Sequence, residues 1–138
     1  MTASSHELTM NWIAKAENDL KIGTDEMRTD HPVTDMVCYH MQQCAEKYLK
    51  AFLVFHNRPF RWTHDIAELI ERCNEIGQEF EVLYQQRADS LTVYGTEIRY
   101  ADEFYTPTLE ETEEAVEIAM RVRDFVREKL KKAGCQAL

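Results

Sequence analysis

The chain has 138 residues, of which 44% are hydrophobic and 30% charged, with four Gly and three Pro. That length suits one globular domain with its own core and excludes collagen-like, low-complexity and disulfide-dense classes. The net charge of -9 excludes a protein that coats nucleic acid through a general basic surface, so any such binding needs a local patch.

The periodicity is helical nearly throughout. Ser4 and Glu7 have the spacing of a capping box. After them Leu8, Trp12, Ile13, Ala16, Leu20 and Met27 mark an apolar face. These predict a first helix from about Ser5 to about Arg28, ended before Pro32. A second helix is predicted from about Asp35 to about His56. Its apolar positions Val37, Met41, Cys44, Ala45, Tyr48, Leu49, Phe52, Leu53 and Phe55 fill an arc of roughly 180°, wider than the ~100° stripe of a helix lying on one surface. Such a helix is central, or also meets a second subunit. Its opposite arc holds His40, Gln43, Glu46, Lys47 and Lys50.

A loop with Pro59 follows, and Thr63 is placed to cap a third helix over 64–76, with Gly77 as its stop. A fourth segment is predicted over about 80–93, followed by a less regular stretch to Pro107. The last helix is the most sharply defined. Thr108 and Glu111 repeat the capping box, Ala115, Ala119, Val122, Val126 and Leu130 keep one face apolar, and glutamates at its start and Lys/Arg at its end complement the helix dipole. The prediction is an all-α, up-and-down bundle of four or five helices in a single domain spanning 1–138, with its core over about 7–130.

Four pieces of the chain carry a family resemblance. The block Cys38-Tyr-His-Met-Gln-Gln-Cys-Ala-Glu-Lys-Tyr-Leu-Lys-Ala51 resembles the signature helix of HEPN domains. Trp12 to Leu20 resembles that family's opening helix, Thr63-His-Asp-Ile66 its turn into the third helix, and Ile98-Arg-Tyr100 its Arg-Tyr element before the last helix. The resemblance implies a helical bundle, usually a homodimer. It implies one of several roles: a metal-independent RNase, often a toxin, a partner of a minimal nucleotidyltransferase in a toxin-antitoxin pair, or a module that binds a nucleotide or other ligand.

The family's RNases use Arg-x4-6-His. Arg58-Pro-Phe-Arg-Trp-Thr-His64 has that spacing, but Pro59 follows the arginine and the stretch precedes the third helix, so the context fits poorly. Arg58 and His64 are therefore the only candidates for catalysis, and a non-catalytic role is preferred. The binding candidates are His40, Gln43, Lys47 and Lys50, which share one helix face at steps of three, four and three. That face is either hydrated, with Glu46 pairing locally, or recognises phosphate or base. His64 joins them as a candidate pocket residue, and Arg99 and Tyr100 as a clamp for phosphate and base. Thr63 and Asp65 have a competing, purely structural use at a helix start.

No histidine follows a glutamate by three residues, so a bundle-type carboxylate metal site is not expected, and no cofactor fingerprint is present. Cys38, Cys44 and Cys73 fall at apolar positions and are expected as core thiols, with Cys135 exposed in a tail. No stretch approaches a membrane span and no signal peptide is apparent, so the expected setting is the cytoplasm. The expected partners are a second copy of the chain, a minimal nucleotidyltransferase, and a nucleotide or RNA.

Overall fold

The computed structural model describes residues 4–95, 104–136 and 138. Helix α1 is Ser5–Met27, α2 is Thr34–Phe55, α3 is Ile66–Asn74, α4 is the single turn Val82–Gln85, and α5 is Leu109–Lys132. Two 3₁₀ turns, Gln78–Glu81 and Ala88–Tyr94, flank α4. Among the described residues no helix is long and apolar enough to cross a membrane.

The long helices start and stop as their sequences dictate. Ser4 Oγ accepts from Glu7 N–H at 3.1 Å, and Thr108 Oγ1 accepts from Glu111 N–H at 3.1 Å. Helices α2 and α5 end in the same device. Asn57 (φ 56°) and Gly134 (φ 94°) take the left-handed conformation. Each following N–H then reaches back five residues, Arg58 to Leu53 at 2.9 Å and Cys135 to Leu130 at 2.8 Å. The second of these turns folds the tail onto the bundle, so Cys135 is buried and not exposed as expected.

Helix α2 is the centre. Helix α1 runs antiparallel to it, with the Ser5 hydroxyl bonded to Asn57 just beyond the C-terminal end of α2. Helix α5 runs parallel to α2: Thr34 bonds the Pro107 carbonyl at one end, Cys38 lies 3.6 Å from Thr112, and Arg127 approaches the Tyr48 hydroxyl further along. A Cβ on Gly23 would meet Met41 Cε at 2.3 Å, so the Met41 methyl fills the space that glycine leaves between α1 and α2. Tyr48 and Phe52 are buried inside one chain. Of the wide apolar arc of α2, every position except the half-buried Phe55 is thus covered by the chain's own elements.

Three expectations shift. Leu8 is exposed, and Thr9 is buried in its place with its hydroxyl bonded to the Ser5 carbonyl at 2.6 Å. The third helix starts two residues late, at Ile66. Asp65 caps it by accepting from Ala67 N–H at 3.0 Å, while Thr63 accepts from Asp65 N–H at 3.1 Å. The fourth segment is not one helix, because Arg87 (φ 63°) breaks it. Ala88, Leu91 and Tyr94 are buried at steps of three, which suits a 3₁₀ turn.

One polar clamp ties α1, α2 and α5 together. Glu17 accepts from Arg123 Nε at 2.8 Å and from the Tyr48 hydroxyl. Burial works to raise the Glu17 carboxyl, but the Arg123 and Tyr48 hydrogen bonds outweigh it and hold the group below its ordinary value. A lowered carboxyl contributes stability that is present above its unfolded-state pKa and lost as pH falls through the folded one. Glu17→Gln should therefore flatten the acid limb of the stability-pH curve, read by circular dichroism melts, and an unchanged acid limb would contradict the clamp. Burial also pushes the Cys38 thiol up to about 11 and raises those of Cys44, Cys73 and Cys135. All four thiols should react slowly with a disulfide reagent in the native protein and rapidly once it is denatured. One fast native thiol would contradict the packing of Cys135.

Candidate functional site

The polar arc of α2 is not a hydrated face. It divides into two stripes with different partners. Gln42, Glu46 and Lys50 repeat every four residues and lie under the loop that joins α2 to α3. His40 and Lys47 turn instead towards α1.

On the α1 side, Asp19 is buried. Its carboxylate takes Lys47 Nζ at 2.6 Å and His40 Nδ1 at 2.8 Å. Beside a paired carboxylate, which can only accept, His40 Nδ1 is the donor. Lys47 and His40, both partly exposed, are thus held against α1 by a residue of that helix.

On the loop side, Glu46 is 2% exposed and Lys50 is 0% exposed. The Lys50 ammonium lies 2.9 Å from Glu46 Oε2. The other carboxylate oxygen accepts from Gln42 Nε2 at 3.0 Å and bonds His64 Nδ1 at 2.8 Å. A carboxylate already paired with an ammonium leaves Nδ1 as the donor, which fixes the tautomer of a neutral His64 ring with Nε2 as its acceptor nitrogen. Gln42 Nε2 also donates to the His64 carbonyl at 3.1 Å, and Gln42 Oε1 accepts from Gln43 at 2.7 Å. The loop is thereby bonded to α2 through both the backbone and the ring of one residue.

Three aromatic rings enclose the Lys50 ammonium: Trp62 at 4.3 Å, Trp12 at 5.5 Å and Phe60 at 5.7 Å from the ring centroids. Their negative faces offset part of the cost of taking an ammonium out of water. Loop alternation explains the cage. Phe60 and Trp62 each turn a ring face towards Lys50, while Arg61 between them forks onto Glu68 of α3, with Nε at 2.9 Å and a terminal nitrogen at 2.6 Å.

The two candidates for catalysis are drawn apart. Arg58 lies 3.6 Å from Glu75, at the C-terminal end of α3, whereas His64 bonds Glu46 at the N-terminal end. Nine helical residues separate these ends, about 13 Å at the α-helical rise. His64 retains 41% side-chain exposure beside Trp62, which it meets edge-on at 6.2 Å. Arg99 and Tyr100 lie outside the described residues. Gly95, the last described residue before them, abuts Gln42: a Cβ there would lie 3.3 Å from Gln42 Cδ.

Reasoning from one helix face grouped His40, Gln43, Lys47 and Lys50. It missed Asp19, Gln42, Trp12 and the two loop aromatics, and it took Glu46 for a local surface partner. The four-residue repeat Gln42, Glu46, Lys50 was the available signal. Two charges of opposite sign on a helix that is apolar on its other flanks are candidates for a buried pair.

Removing Glu46 would leave the Lys50 charge buried and unpaired. Glu46→Ala should cost about 3–5 kcal/mol in denaturant unfolding. Adding Lys50→Met to a Glu46→Gln chain should recover most of the loss. Equal destabilisation by the single and double variants would contradict the pairing.

The comparisons with known proteins agree with this architecture. The HEPN domain family model matches residues 9–129. A crystal structure of an archaeal HEPN homologue aligns with a TM-score of 0.70 at 26% identity, over 88% of this chain and 97% of that one. No curated protein sequence matches significantly. The family match takes in the opening helix, the central helix with its buried stripe and the turn at His64, and on this evidence the chain belongs to the HEPN family.

Proposed function

We propose that the chain is a binding module for a nucleotide or RNA, and that it is not an RNase acting through Arg58 and His64. The observation that carries this reading is the anchoring of His64. A buried carboxylate holds Nδ1 while much of the ring stays open to solvent beside an exposed tryptophan. That is a pre-set hydrogen-bonding group on a rigid support, which is what a binding site needs. Cleavage would need a second group to steady the scissile phosphate, and Arg58 is engaged by Glu75 at the far end of α3. Arg99 and Tyr100, which lie outside the described residues, remain binding candidates on the sequence alone.

A second reading is favoured by the charge. The net charge is -9, and Lys47, Lys50, Arg58 and Arg61 each have a carboxylate partner. Phosphate coating is weak on such a surface, and a protein partner is favoured. The proposed partners are a second copy of the chain and a minimal nucleotidyltransferase, as in a toxin-antitoxin pair, and stable co-purification with such a protein would support this reading.

The test uses end-labelled mixed RNA in EDTA, with wild-type protein and His64→Ala, both checked for helicity. The expected result is retarded but intact RNA with wild type and weaker retardation with the variant. Cleavage by wild type that disappears in His64→Ala would overturn the proposal in favour of a metal-independent RNase.

A further inference from the structure

Trp62 is 72% exposed, yet its position is set. The inner face of the indole lies over the Lys50 ammonium at 4.3 Å. That ammonium is fixed by Glu46 at 2.9 Å and closed in by Trp12 and Phe60. The outer face is left to solvent, with the half-exposed His64 ring at its edge.

A cation on one face of an indole draws π density towards itself, so the opposite face is less negative than that of a free tryptophan. Such a face disfavours a second cation and favours a neutral, electron-rich planar ring in an offset stack. The surroundings select the same way. Arg61 is forked onto Glu68 and Arg58 is paired with Glu75, so among the described residues both guanidinium groups of the loop already have a carboxylate partner. In the neutral His64 ring, with Nδ1 donating to Glu46, Nε2 is the acceptor, and this half-exposed ring stands beside Trp62 with centroids 6.2 Å apart.

We propose that Trp62 is a stacking plate for a neutral nucleobase that carries an exocyclic amine, adenine above all, with His64 Nε2 accepting from that amine. This rests on the nucleotide- or RNA-binding reading and adds to it the part of the ligand that is recognised: the base and not the phosphate. The base can come from a free nucleotide or from an unpaired RNA residue.

The experiment titrates the full chain with adenosine, AMP, UMP, choline and a short oligoadenylate at low and high salt, by calorimetry for wild type and variant and by the Trp62 indole N–H resonance for wild type. Trp62→Leu is the informative variant, because it keeps an apolar cover over Lys50 while removing the aromatic face. The expected result is that adenosine binds about as well as AMP, with little salt dependence, that UMP binds more weakly, and that choline does not bind. Trp62→Leu should weaken adenosine binding about ten-fold or more, the range measured for loss of one base stack. Tighter binding of oligoadenylate than of AMP would identify RNA as the source of the base, and equal binding would identify the free nucleotide. Binding of AMP but not adenosine, or equal binding by Trp62→Leu, would overturn the stacking plate while leaving the binding reading intact. Absence of binding to every nucleotide and to RNA would overturn both.

Discussion

The burial of one ammonium organises this protein. Lys50 sits on the central helix with no exposed surface, where an unpaired charge would cost several kcal/mol. Everything that lowers that cost also builds local structure. Glu46, one turn earlier, supplies the counter-charge. Trp12 from α1 and Phe60 and Trp62 from the loop supply ring faces. The loop between α2 and α3 has little regular structure of its own, so its course follows from the need to cover Lys50 and from the Arg61–Glu68 fork on its outer side.

The same constraint links stability to the site. Because Glu46 carries the counter-charge for Lys50, it is an obligate acceptor, and it therefore imposes a donor role on His64 Nδ1. The orientation and tautomer of a half-exposed imidazole are thus set by a residue buried for a different reason. The bundle repeats this logic on its other flank, where Asp19 takes both Lys47 and His40. Cations that a linear reading offers to phosphate are instead internal ties between helices. This explains how an acidic chain can carry several basic residues on its central helix without presenting a basic surface.

Much of the fold is legible in the sequence where local chemistry decides it. The boundaries of α1 and α2 fall within a residue or two of expectation, and α5 starts at its expected cap, because capping residues and apolar spacing act over a few positions. The third helix is displaced because Thr63 and Asp65 are both able caps and only packing chooses between them. The segment over 78–94 is misread because its apolar residues repeat every three positions in part of its length, which a 3.6-residue template does not capture. Cys135 is misplaced because a Gly-containing turn folds the tail back. The site is less legible still. Helical spacing gives the direction in which Lys50 and Glu46 leave the axis, but not what covers them. The covering residues lie up to 38 positions away, as Trp12 does from Lys50. Gln42, Asp19 and Trp62 acquire their roles only through those distant contacts.

The most direct test is the protonation state of the His64 ring, read from long-range proton–nitrogen correlations in the labelled protein. The expected spectrum shows the neutral ring with its proton on Nδ1 in wild type, and loss of that preference in a Glu46→Gln, Lys50→Met chain that remains folded. A neutral ring that carries its proton on Nε2 in wild type would contradict the claim that the buried Glu46–Lys50 pair sets the site.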